Sequence, residues 1–134
     1  MTEARAPIQR PLSPHLQIYR ITLSMAMSGV HRITGLALYA GMVLLTWWLL
    51  AAAAGQHAYG IFEAFAASWI GRLILFGFTW ALLHHLLGGL RHLIWDLGYG
   101  MEAEEREWLI RANLIGSIVA TVLLWALLMM FGLR

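Results

Sequence analysis

Three long apolar runs, each free of formal charge, divide the sequence. Residues 33–54 and 112–133 make runs of 22, and residues 73–90 make a run of 18 interrupted only by His84 and His85. The runs are continuous rather than alternating, and each is close to the roughly 20 apolar residues that a helix needs to cross the hydrocarbon. Strands are a poor reading, because three unbroken runs cannot build a closed barrel. The pattern predicts an all-α membrane protein with three transmembrane helices, over about residues 24–54, 66–96 and 108–133. All three prolines (Pro7, Pro11 and Pro14) precede the first run, so residues 1–21 read as an extended arm. Thr22 or Ser24 can serve as an N-cap, which places Ser28, His31 and Arg32 in the first turns of the first span. The run begins too late, and is too long, for the apolar core of a cleaved signal.

Composition strengthens this picture. Of 134 residues, 60% are apolar; formal charge rests on 9 Arg and 7 Asp or Glu, with no Lys, and the mean hydropathy is +0.69. Soluble domains average about 45–50% apolar and about 25% charged residues. The length allows one domain and leaves no room for a separate catalytic one. No Cys is present, which excludes a disulfide, a zinc–thiolate site, a cysteine-held iron–sulfur cluster and a thioether-linked haem. The net charge of +2 comes from scattered Arg, which argues against nucleic acid as a partner.

The Arg residues also give an orientation. Arg5, Arg10, Arg20 and Arg32 precede the first span, and Arg91, Arg106 and Arg111 flank the connection between the second and third. Arg72 and Arg134 fall on the opposite side. Positive charge collects on the inner side of a membrane, so the N-terminus is expected inside and the C-terminus outside. The acidic stretch 102–107 reads as a solvated, charge-mixed inner loop. No internal repeat is visible, and three spans cannot form two inverted halves, which weakens a transporter reading.

Polar groups at membrane depth are costly and mark functional sites. Here they form one cluster at the inner end: Ser28, His31 and Arg32 on the first span, and His84, His85, Arg91, His92 and Asp96 on the second. His85 lies six residues before Arg91, roughly 9 Å inside the boundary at 1.5 Å per residue. Ala81, Gly88 and Gly89 leave the neighbouring turns without bulk, as a flat macrocycle against a helix requires. Neutral imidazole is a common axial ligand of haem iron, and without Cys the haem would be b-type. His84 and His85 point about 100° apart, and His92 is about 10 Å further along the same face as His85. If His85 ligates a six-coordinate haem, neither His84 nor His92 can bind the opposite side of the iron, and the second ligand must come from another chain, in a hetero-oligomer or a symmetric dimer. Ser28 and Arg32, spaced i and i+4, share a face; a guanidinium beside a hydroxyl can hold haem propionates or a quinone oxygen. Trp47, Trp48, Trp69, Trp95 and Trp108 lie mostly near span ends, as an aromatic belt does, and Gly35, Ala37 and Gly41 read as helix-packing positions.

Two segments carry a resemblance. The stretch from Arg10 to Tyr19, containing Ser13-Pro14-His15-Leu16-x-Ile18-Tyr19, is followed by the S-x-x-H-R-x-[ST]-G pattern of Ser28, His31, Arg32, Thr34 and Gly35. Further on, His85, Gly89, Arg91, His92 and Asp96 form H-x-x-x-G-x-R-H-x-x-x-D. Together these resemble the family of cytochrome b556 subunits of succinate dehydrogenase, in its alphaproteobacterial and mitochondrial branch, over nearly the whole chain.

The resemblance implies half of a heterodimeric haem-binding helical bundle in complex II. A second small membrane anchor subunit would supply the other haem ligand, and an iron–sulfur subunit and a flavoprotein subunit would complete the enzyme. Electrons from succinate would then reach ubiquinone in a bacterial inner membrane. By the same resemblance His85 is the haem iron ligand, Ser28 and Arg32 line the quinone site, His31 and Arg32 meet the haem propionates, and His84, Gly88, Gly89 and His92 lie near the haem. No residue of this chain is expected to oxidise succinate. The alternatives are the anchor of a quinol:fumarate reductase and a haem-free structural anchor.

Overall fold

The computed structural model describes residues 10–132. The start of the arm, with Arg5 and Pro7, and the terminal Arg134 lie outside the described residues. From Arg10 the arm is irregular and exposed, apart from one 3-10 turn at His15–Gln17 behind Pro14. Four α-helices follow: α1 Leu23–Ala54, α2 Gln56–Ala67, α3 Trp69–Asp96 and α4 Ala103–Met130. Three of these (α1, α3 and α4) are long and apolar enough to span a membrane, and no strand occurs among the described residues. At about 1.5 Å per residue, helices of 28–32 residues exceed a hydrocarbon core of about 30 Å, so their ends reach the interfaces.

Local chemistry sets the boundaries. Thr22 caps α1, its hydroxyl accepting from the Met25 N–H at 3.4 Å, and Ser68 caps α3 by accepting from the Gly71 N–H at 3.0 Å. Gly55, at φ 102°, lets α1 turn directly into α2. The short helix α2, which the hydropathy pattern does not announce, folds back between α1 and α3 and sets Phe62 and Phe65 against Trp47, with ring centroids 5.0 and 5.1 Å apart. The acidic stretch is also helical rather than a loop. Glu104 and Glu105 occupy the first turn of α4, where carboxylates complement the positive end of the helix dipole, and Glu107 pairs with Arg111 one turn on at 2.8 Å.

The central helix is α3, which packs on both α1 and α4. Its approach to α1 depends on glycine: a Cβ on Gly41 would collide with the Phe78 ring, and one on Gly88 would collide with the His31 imidazole. Its approach to α4 is lined by buried polar groups instead. Elsewhere the apolar side chains face outward; Leu36, Tyr39 and Val43 on α1 are each at least two-thirds exposed. Those surfaces suit lipid and a partner helix rather than water.

Candidate functional site

Two polar groupings lie on opposite flanks of the inner half of α3. The flank toward α1 carries His85, Gly88 and His92, which meet His31, Thr34 and Gly35. The imidazoles of His31 and His85 stack face to face, with centroids 3.9 Å apart and planes 17° from parallel. His92 meets the His31 ring edge-on at 5.7 Å and remains exposed.

The His85 ring is held in a defined state. Its Nδ1 lies 3.2 Å from the His31 carbonyl oxygen and 3.3 Å from the Thr34 hydroxyl. That hydroxyl already donates to the His31 carbonyl at 2.9 Å. Both partners of Nδ1 therefore act as acceptors, and Nδ1 carries the hydrogen. Nε2 is left with no hydrogen-bond partner among the described residues. A ring N–H fixed on a backbone carbonyl is the usual support of a metal-binding histidine, since it sets the tautomer and the ring orientation. The same ring borders an apolar groove of about 400 Å³ between α1 and α3, lined by Gly35, Leu38, Tyr39, Met42, Phe78 and Leu82. Gly35 gives the clearance here, because a Cβ would stand 3.1 Å from His85 Cε1.

Ser28 and Arg32 are exposed near the inner end of α1. By helical spacing they fall on the same flank as Gly35 and Tyr39, one to two turns toward the N-terminus of α1 from the groove. The structure separates the two adjacent glycines. Gly88 receives the His31 ring, whereas nothing lies within 4 Å of a Cβ on Gly89. Clearance for a flat group against α3 therefore exists at Gly89 and not at Gly88.

The opposite flank of α3 carries His84, and its surroundings differ from those of His85. His84 is completely buried. The Asn113 side-chain amide donates to Nε2 at 3.4 Å, Nδ1 donates to the Ser117 hydroxyl at 3.1 Å, and that hydroxyl donates to the Leu114 carbonyl at 2.9 Å. Both ring nitrogens are occupied, so His84 has no lone pair free for a metal. Arg91 shares this flank, 5% exposed, its guanidinium carbon 4.9 Å above the Trp95 ring. Thr34, Asn113 and Ser117 are the residues that the inner-end cluster omits. Asn113, Ser117 and Thr121, at i, i+4 and i+8 in an otherwise apolar run, carried the signal of a buried polar stripe.

A helical bundle with three long apolar helices and a carbonyl-anchored histidine beside an apolar groove defines a class: multi-span membrane proteins with a polar site between their helices. The particular family follows from comparison. Residues 6–128 match the model of the succinate dehydrogenase/fumarate reductase transmembrane subunit. The chain is 51% identical over 114 residues to the succinate dehydrogenase cytochrome b556 subunit of Paracoccus denitrificans, covering 85% of this chain and 88% of that one. It is 35% identical over 127 residues to the subunit of the same name from Rickettsia felis, covering 93% and 99%. Against the mitochondrial cytochrome b560 subunit of Sus scrofa it is 44% identical over 98 residues, covering 69% and 56%. The chain belongs to the succinate dehydrogenase/fumarate reductase transmembrane subunit family.

Proposed function

We propose that this chain is the cytochrome b membrane anchor of a succinate:ubiquinone oxidoreductase, holding haem b jointly with a second small membrane subunit and forming part of the ubiquinone site. The observation that carries the reading is His85, whose Nδ1–H is tied to the His31 carbonyl while Nε2 is free beside an apolar groove. The residues fit the group. The His85 imidazole, its ring fixed by the His31 carbonyl, would hold the iron, the apolar wall of the groove would accept the macrocycle, and His31 and Arg32 would hold the propionates. The haem supplies one-electron chemistry when bound. A second iron ligand would have to come from a partner subunit, since His84 is fully engaged and His92 is two turns away on the same helix face.

Ser28 and Arg32 act on the quinone. The guanidinium and the hydroxyl donate hydrogen bonds to a quinone carbonyl oxygen, and these strengthen as that oxygen gains charge on reduction. The positive-inside distribution puts this end on the cytoplasmic side of a bacterial inner membrane, where the iron–sulfur and flavoprotein subunits dock. The names of the relatives favour the succinate-oxidising direction over fumarate reduction.

The test is a reduced-minus-oxidised visible spectrum of the purified assembly together with succinate-driven quinone reduction. His85→Ala abolishes the six-coordinate b-type signal or converts it to a five-coordinate one. Ser28→Ala and Arg32→Leu retain the haem signal and lower quinone turnover. An assembly without haem that keeps quinone reductase activity in Arg32→Leu overturns the reading and leaves a structural anchor.

A further inference from the structure

The two adjacent histidines raise a question of selection. A rotation of α3 by about 100°, one residue, would bring His84 to the groove and carry His85 out of it. Apolar packing resists this poorly. The α3 surface is apolar nearly all round, and lipid tails are as apolar as the side chains they meet, so association in a membrane depends on close approach and polar pairs. Polar pairs cross the seam between α3 and α4. His84 is 0% exposed, and its two nitrogens are partnered by two residues of α4 one turn apart, Asn113 and Ser117. The hydrogen-bond directions form one consistent series, from the Asn113 amide through the imidazole and the Ser117 hydroxyl to the Leu114 carbonyl. Imidazole at this position can satisfy both partners in one orientation only. Further toward the other end of the seam, the Trp125 indole donates to the Thr79 hydroxyl at 3.3 Å.

We propose that His84, Asn113 and Ser117 form a rotational key between α3 and α4 that aims His85 into the α1–α3 groove and thereby selects it, rather than His84, as the ligand-presenting histidine. The three residues touch neither the groove nor any group bound in it; they are positioning residues, and α4 takes part in the site only through them. The inference rests on the haem-anchor reading, with His85 as ligand.

The test uses the assembled complex with Ser117→Ala, Asn113→Leu, His84→Leu and His84→Gln. The g-values of a low-spin haem report the mutual orientation of its axial imidazoles, so electron paramagnetic resonance reads the aim of His85 directly. Ser117→Ala, Asn113→Leu and His84→Leu shift or split the low-field feature and move the haem midpoint potential. His84→Gln, whose amide can accept from Asn113 and donate to Ser117, restores the wild-type spectrum. Thr121→Ala is the structural control. It removes a buried hydroxyl of the same seam that bonds only the Ser117 carbonyl, so it costs stability and leaves the spectrum unchanged.

Unchanged g-values in all three seam variants overturn the key. So does an equal change in Thr121→Ala, which assigns the effect to general loosening. A wild-type haem signal that survives His85→Ala overturns the ligand assignment instead. The key is then decided by histidine carbethoxylation of the full chain, read by mass spectrometry. Labelling at His85 alone in the wild type, extended to His84 in Ser117→Ala, supports it, and identical labelling of both chains overturns it.

Discussion

Gly88 and Gly89 are neighbours on one helix, and substituting alanine at each should give different results. At Gly89 the new methyl meets open space, so the change reports only the helix preference of Ala over Gly, about 1 kcal/mol in favour of Ala in a helix interior. At Gly88 the same methyl lands on the His31 imidazole, with Nε2 at 2.8 Å and Cδ2 nearer still. That ring has no simple retreat. It is stacked on His85 at 3.9 Å and flanked edge-on by His92 at 5.7 Å. Forcing a methyl into a packed contact of this kind costs about 1–3 kcal/mol. The difference between the two sites isolates the overlap, since the helix-propensity gain is common to both. At about 1.4 kcal/mol per factor of ten, Gly88→Ala should shift the folded-to-unfolded ratio about five- to hundredfold against Gly89→Ala.

Unfolding of the purified chain freed of haem, in graded denaturing detergent and followed by far-ultraviolet circular dichroism, measures this difference without any group bound against Gly89. The same pair is then made in a His31→Ala background. With the imidazole gone, Gly88→Ala should become as benign as Gly89→Ala, which gives a coupling between residues 31 and 88 equal to the original difference. Equal stabilities of Gly88→Ala and Gly89→Ala in the wild-type background would refute the reasoning. A difference that persists without His31 would show that something other than this ring fills the space at Gly88.

Three further outcomes are expected. Trp95→Phe removes the indole N–H that donates to the Gly100 carbonyl at 3.0 Å and weakens the face under Arg91. It should cost about 1–2 kcal/mol in the same unfolding assay, and the loss should be smaller in a Gly100→Ala background, where φ 72° already strains the turn. Glu107→Ala breaks an ion pair that is half exposed on both sides, so stability should change by less than about 0.5 kcal/mol, a shift that 0.5 M salt erases. A periplasm-active reporter fused after residue 134 should be active in cells, and one fused within residues 97–102 should not, as the Arg distribution requires.

The sequence disclosed the spans and the inner-end histidines for a simple physical reason: absence of charge over about 20 residues is a strong signal. Thr22 as helix cap was legible on the same grounds, a hydroxyl just before an apolar run. The short helix α2 was not, because its 12 residues, with Gln56, His57 and Glu63 among them, are too few and too polar to stand out as a span. The acidic stretch misled differently. Six residues of mixed charge look like loop, yet carboxylates at a helix start favour the helix. Gly88 and Gly89 were equivalent in sequence and became distinct only once His31 was seen to fill one of them.

The histidines show where a one-helix view stops. From spacing alone His84 and His85 differ only by about 100° of rotation, and either could face a cofactor. What separates them is a second helix on one side and a backbone carbonyl on the other. Asn113 and Ser117 consume both nitrogens of His84, whereas the His31 carbonyl consumes one nitrogen of His85 and leaves the other. A buried imidazole with an unpaired nitrogen is costly in hydrocarbon unless something bonds it. His84 meets that cost inside the chain, whereas His85 is only part-buried and does not carry it in full. The same logic extends to His31, whose Nε2 is buried without a partner. His31 and His85, stacked at 3.9 Å, therefore bring two nitrogens without a partner among the described residues together at one end of the α1–α3 groove.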